Sequence, residues 1–210
     1  LETKNPVLKK LFQDKRFRIA LSLAINRKEI NELIFQGVGN PQQPYGIQGT
    51  EYYVEEIAQR YAQYDVKEAN RLLDQMGLKK RDKDGYRLGP DGKPVAITIE
   101  VRTGVSQEQV DTAELFVKYW KDVGIKASVK AEDRSLFETR KTAGEFEVIM
   151  QDTTCDRYPI FSMNWFVPIT TSCVYGPLYG LWYVTDGKSG VEPPSEIKKL
   201  LTLYEKAVGT

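Results

Sequence analysis

The chain of 210 residues contains no histidine. Histidine is the side chain that titrates near neutrality, so its absence removes the commonest general base and metal ligand. Cysteine is nearly absent too. Cys155 and Cys173, with seventeen residues between them, match no zinc spacing and cannot supply four ligands. They read as two thiols, with a disulfide in an oxidising compartment as the alternative. Net charge is lacking: 30 Lys and Arg face 29 Asp and Glu, so no field favours nucleic acid or an anionic membrane. The basic run Lys79-Lys80-Arg81 is followed at once by Asp82 and Asp84, which suits a solvated loop. No apolar run approaches the roughly 20 residues that a membrane helix needs. Neither a phosphate-cradling glycine loop nor a nucleophile elbow is present. No secretion signal is visible and the first residue is Leu1, so the chain is expected to be a piece of a longer one.

What is present begins with a helical pair. Phe17, Ala20, Leu21, Ala24 and Ile25 recur at helical spacing. Asn26 is a natural N-cap, and Glu29 stands where a capping box would place it. Ile30, Leu33 and Ile34 follow on one side, with a stop at Gly37. Ahead of this pair, Asn5-Pro6 is expected to mark a turn. Behind it, residues 37–53 carry Gly39, Pro41, Pro44, Gly46 and Gly49 and should form a surface loop. A short helical patch is expected over 55–64. A clearer helix is capped by Asp65 and Glu68, buries Ala69, Leu72, Leu73 and Met76, and ends at Gly77.

Asp82 and Asp84 begin like a calcium loop, but the sixth position is Arg87 and the twelfth Lys93, so that reading fails. Turn chemistry explains them, and Pro90-Asp91-Gly92 is a hairpin signal. From Val95 the period changes to two: Val95, Ile97, Ile99 and Val101 alternate with polar residues. Ser106 and Gln109 open a helix ended near Gly124. A second strand spans Ile125 to Ala131, Ser135 and Glu138 open a shorter helix, and Phe146 to Met150 form a third strand. Strand, helix, strand, helix, strand with short links predicts parallel strands and right-handed crossovers. The expected class is α/β, with a parallel βαβαβ core, flanking helices and an irregular aromatic region over about 152–192. All 210 residues are expected to form a single lobe. A last helix is predicted behind Ser195, burying Ile197, Leu200, Leu201 and Tyr204.

Ligands of open α/β sheets bind beyond the carboxyl ends of the strands. That rule selects Arg102-Thr103-Gly104, Glu132-Asp133 and the polar run Gln151-Asp152-Thr153-Thr154-Cys155-Asp156-Arg157. Such residues equally cap helices and satisfy backbone donors. Past them lie Phe161, Trp165, Phe166, Tyr175, Tyr179, Trp182 and Tyr183. Aromatic side chains are mostly packing residues, though platforms on loops also suit sugar rings or peptide side chains. Trp165 and Trp182 are the two ligand candidates among them. An enzyme on the same scaffold would use Asp133, Asp152 or Asp156 for acid–base work, without histidine or any nucleophile motif beside them. A regulatory sensor built on this lobe is a third option.

Three phrases carry a resemblance. They are F-x-D-x-R-F-R-x-A-L-S-x-A-I-N-R-x-E-I from Phe12 to Ile30 with Gly37 and Pro41 behind it, Tyr64-Asp65 with Ala69, Leu72, Leu73 and Gly77, and Val123 to Val129 with Gly144 to Val148. Together they resemble the extracellular solute-binding proteins of ABC importers, in the family that holds oligopeptide, dipeptide, nickel and some oligosaccharide binders. The resemblance runs from about Phe12 to Pro159. It implies a periplasmic-binding-protein-like (type II) fold, of which this chain would be the second lobe without the first. It implies a small solute, peptide or oligosaccharide, held between two lobes, importer membrane subunits as partners, a periplasmic or lipid-anchored extracytoplasmic location, and neither a cofactor nor catalysis. In peptide-binding relatives the third strand runs into a phrase like G-W-x-A-D-Y, whose Asp accepts the ligand's amino group while the backbone pairs with an extended peptide. The resemblance sets Asp156 at that Asp, Asp152 at the Gly and Thr153 at the Trp, with Arg157 in place of the usual Tyr.

Overall fold

In the computed structural model of the protein, residues 3–43, 46–104, 106–151, 159–173 and 176–209 are described. The opening segment is helical rather than a turn. Helix α1 (Pro6–Gln13) is capped by Asn5, whose side chain accepts from the N–H groups of Val7 and Leu8, with Pro6 in the first turn. Asn-Pro signals a turn and a helix start equally well, because proline lacks only an N–H that a first turn leaves unpaired.

Helix α2 (Lys15–Leu23) follows on an Asp14 cap, and helix α3 (Arg27–Leu33) on Asn26. Asn26 Oδ1 accepts from Glu29 N at 3.1 Å. The Glu29 carboxylate meets the Asn26 side-chain amide at 3.3 Å rather than the backbone, so only half of the box forms. Leu33, expected on the buried side, is 65 % exposed; in so short a helix Ile30 alone is buried. After α4 (Glu55–Gln59), helix α5 (Val66–Gln75) starts on Asp65, which accepts from Glu68 N at 2.8 Å. Glu68 does not complete a box here either. Its carboxylate pairs with Arg71 at 2.6 Å, because the Asp65 N–H already donates to Leu23 O.

The turn-rich segment behind α5 is a small hairpin with antiparallel bridges at Arg81–Arg87 and Leu88–Pro94. Asp82 Oδ1 accepts from the N–H groups of Asp84 and Tyr86, the side-chain turn expected of it. The sheet then forms as β1 (Ala96–Arg102), α6 (Gln107–Asp122), β2 (Lys126–Glu132), α7 (Arg134–Thr142) and β3 (Val148–Met150), in parallel order β2-β1-β3. Register runs from Ala96 opposite Lys126 to Arg102 opposite Glu132, and Ile99 faces Val148. Ile97, Ile99 and Val101 enter the same core as Phe17, Ala20, Leu73 and Trp120. Helix α7 is capped by Asp133, not Ser135: β2 pairs as far as Glu132 and leaves one residue to turn the chain. Ser106 precedes α6 without a side-chain cap bond.

The described part of the aromatic region is more regular than expected. It contains a 3-10 stretch, Pro159–Trp165, broken at Ser162, and helix α8 (Pro177–Val184) resting against α7. Pro177 starts α8, and its residues are apolar on all sides, so no helical period marks it. In the last helix, α9 (Ser195–Val208), Pro194 holds the cap position and Ser195 is already helical; Leu201 is buried while Leu200 is exposed.

Candidate ligand-binding site

The strands of a parallel sheet end together, and here the ends of β1 and β2 are held level. Arg102 and Glu132 are opposite in register, and Thr103 then donates through its N–H (2.8 Å) and its hydroxyl (3.1 Å) to Glu132 O. Gly104 turns the chain away with φ +75°, a region that costs glycine nothing. Arg102 is half-buried, its Nη1 lying 3.6 Å from Glu138 Oε1 of α7. Its cation is thus only loosely neutralised at the rim. Asp133 points both its capping bonds into α7, at 2.9 Å to Ser135 N and 3.1 Å to Leu136 N, so its carboxylate is structural.

Behind the rim, the face of β1 and β2 turned to α7 carries charge. Glu100 and Glu132 are buried. Arg140 of α7 grips Glu100 with two bonds, 2.6 Å from Nη2 and 3.1 Å from Nε, and lies 3.3 Å from Glu132. Lys130 Nζ reaches Glu132 at 2.5 Å. The hydrogen bond to Glu100 is the main cause that raises the Arg140 pKa. Period-two reading places Glu100, Lys130 and Glu132 on an outward face; α7 covers that face and makes it an ionic layer. These groups offset one another in charge, although neither carboxylate oxygen of Glu132 has a hydrogen-bond partner among the described residues. A further buried oxygen without a partner lies at the strand ends. Gln151 Oε1, at the end of β3, is buried with no donor among the described residues.

Of the sequence candidates, Arg102 stands at the rim. Trp165 is half-buried at the end of the 3-10 stretch, and Trp182 is half-buried on α8. The Lys198 ammonium of α9 lies 5.5 Å from the Trp182 ring centre. Among the described residues no ring contact or hydrogen bond joins Arg102, Trp165 and Trp182 to one another. Asp152, Thr153, Thr154, Asp156 and Arg157 lie outside the described residues, as does Cys155, while Cys173 is buried. Among the described residues no group of three or more His, Cys, Asp or Glu side chains is gathered for a metal, and no helix is long and apolar enough to cross a membrane. Sequence reasoning missed three half-buried or buried arginines, Arg27, Arg87 and Arg140. Each sits beside a turn or at a helix end, where no hydrophobic period reports burial.

Within the phrase from Phe12 to Ile30, three charged side chains tie helix ends to neighbouring backbone. Asp14 caps α2 and pairs with Arg16, Arg18 donates to the carbonyls of Phe12 and Gln13, and Arg27 donates to Ser22 and Ala62.

A parallel α/β unit with open strand ends and helices on both faces is a fold of the periplasmic-binding-protein type. Residues 1–169 match the bacterial extracellular solute-binding proteins, family 5 middle, and the chain belongs to that family. A solved oligopeptide-binding protein OppA superposes on 99% of this chain with a TM-score of 0.86 and 36% identity, over 35% of its own length. The periplasmic alpha-galactoside-binding protein of Rhizobium meliloti (strain 1021) is 28% identical across 67% of this chain and 21% of its own. The oligopeptide-binding protein OppA of Lactococcus lactis subsp. lactis is 27% identical across 56% of this chain and 19% of its own. The chain thus spans about a fifth of the length of the curated relatives it matches.

Proposed function

We propose that this chain is one lobe of the extracytoplasmic solute receptor of an ABC importer, and that its cargo is a short peptide. The observation that carries the reading is the 36% identity to a solved oligopeptide-binding protein over 99% of this chain. The open rim at Arg102, Thr103 and Gln151 forms one wall of the cleft, and the other lobe supplies the second. An extended peptide adds its backbone beside the third strand, and Asp156 receives its ammonium group. Ligand bridging both lobes favours the closed state by contacts that the open state lacks. The closed receptor delivers its cargo to the importer's membrane subunits. Nothing in this scheme requires bond-making, so the reading is a binder without catalysis.

A second reading, an oligosaccharide cargo, is favoured by the 28% identity to an alpha-galactoside-binding protein. Trp165 and Trp182 would then serve as platforms for sugar rings.

Native mass spectrometry of the full-length receptor, purified without denaturation, tests both. A ladder of peptide masses supports the first reading, and hexose increments support the second. If the receptor carries nothing, and its scattering radius does not shrink with saturating peptides or oligosaccharides, the receptor reading is wrong.

A further inference from the structure

At the joint between α2 and α3 the guanidinium of Arg27 is only partly used. Nη1 donates to Ser22 O at 2.9 Å and to Ala62 O at 3.2 Å, and Nη2 donates to Ser22 Oγ at 2.8 Å. A guanidinium has five N–H groups in a rigid plane. The two left over, Nε–H and the second Nη2–H, lie parallel on one edge, the edge that takes a carboxylate with two bonds. They have no acceptor among the described residues. No Asp or Glu lies within ion-pair range of Arg27 there either. Burial pushes the Arg27 pKa down, with no opposing carboxylate to restore it.

Two cavities meet at this side chain. One, of about 320 Å³, is walled by Ile25, Ile30, Phe35 and Phe116, with the amides of Asn31 and Asn40 at its polar side. The other, of about 350 Å³, is lined by Asn26, Lys28, Gln59, Gln63 and Tyr64. Arg27 and Pro41 belong to both linings, and no acidic residue belongs to either. Lys28 has only a loose partner, Glu32 at 4.0 Å. An apolar chamber therefore adjoins a cationic, amide-rich one, with an unused two-donor edge on the residue that they share.

We infer that this joint is a binding site for a small carboxylic acid with an apolar body, its carboxylate on the free edge of Arg27 and its body against Phe35 and Phe116. The anion supplies the counter-charge that a partly desolvated cation otherwise lacks. The apolar chamber argues against a bare inorganic anion, which would leave those walls empty. The site does not rest on the strand-end reading, and its test is independent of cargo.

The probes are 3-phenylpropionate and its neutral amide, titrated into the full chain while the Arg27 Nε–H resonance is followed by NMR. The expected result is a saturable shift with the carboxylate and binding roughly tenfold weaker, or worse, with the amide. R27K should lose that preference. Because R27K also disturbs Ser22 and Ala62, a second variant is needed. T112W fills the apolar chamber without touching those bonds and should abolish binding with the fold intact. Equal affinity for acid and amide, no shift at the solubility limit, or unchanged binding by T112W would each overturn the proposal.

Discussion

The indole N–H of Trp120 donates to Leu21 O at 3.1 Å inside the core. Leu21 is in the last turn of α2, where helix carbonyls have no partner in their own helix. The last three carbonyls of that turn are answered from beyond the helix: Leu21 O by Trp120, Ser22 O by Arg27 and by Ile25 N, and Leu23 O by Asp65 N. Helix α2 is thereby joined to α3, α5 and α6 at one point. Replacing Trp120 with Phe keeps a ring beside Phe116 but leaves the Leu21 carbonyl buried and unpaired. The expected loss is about 1–3 kcal/mol in urea unfolding. A change below about 0.5 kcal/mol would mean that water takes over the carbonyl.

Arg87 is 2 % exposed and holds the hairpin against α5 and α6. It donates from Nε to Val123 O at 2.8 Å and from Nη2 to Asn70 Oδ1 at 2.7 Å; Nη1 bonds Leu78 O and Asp74, the latter at 2.6 Å. Asp74 is 45 % exposed, so the ion pair itself is largely screened. Arg87→Met should therefore cost at least about 2 kcal/mol through orphaned acceptors. Asp74→Asn should cost no more than about 1 kcal/mol. Equal losses in the two variants would show that the charge pair, rather than the carbonyls, holds the hairpin.

Much of the fold was legible because its elements keep a period. Ile97, Ile99 and Val101 alternate and are buried, Asp65 and Asn26 cap as expected, and Gly77 and Gly124 end helices at positive φ. The misreadings share a cause, which is that one local signal serves two structures. Asn5-Pro6 fits a turn or a helix start, and Asp133 and Ser135 both suit a cap until the length of β2 decides between them. Helix α8 shows no period, since its apolar residues go all the way round. The rim was legible from topology alone, because parallel strands with short links fix where they end. The charged layer under α7 was not, since alternation tells which residues share a face but not what later covers it.

Under the proposed peptide reading, Asp156 carries the cargo argument. In the full-length receptor, Asp156→Asn should weaken a peptide with a free amino terminus by about 1.5–3 kcal/mol, the worth of a charge-assisted hydrogen bond. The same peptide with its amino group acetylated should bind both forms alike. Calorimetry reads both. An unchanged affinity for the free peptide removes Asp156 from the site.

Gly180 in α8 tests how the aromatic region is held. A Cβ there would lie 1.9 Å from Thr170 O, a backbone atom that cannot move aside alone. Alanine is intrinsically the better helix former by about 1 kcal/mol. Gly180→Ala should nevertheless destabilise, because the overlap forces α8 away from the 170–173 turn. Faster hydrogen exchange over 176–185 and a changed near-ultraviolet signal from Trp182 are expected. A stabilised variant would show that α8 shifts freely, and so is not fixed by that contact.

Glu29 gives the pH dependence of the α3–α6 contact. Lys118 Nζ lies 2.9 Å from its carboxylate, and that hydrogen bond is the main cause holding the Glu29 pKa below the usual carboxylate range. A pKa depressed on folding means that the folded chain binds the proton less readily than the unfolded one. The contribution is therefore complete above the unfolded value, about 4.3, and disappears as pH falls through the lower folded value. Melting temperatures of wild type and Glu29→Gln should differ at pH 7 and converge as pH falls below about 4. Since the pair is partly solvated, added salt should narrow the gap at pH 7. A gap that persists at low pH would assign the effect to the Asn26 cap, which the glutamine also touches, rather than to the charge of Glu29.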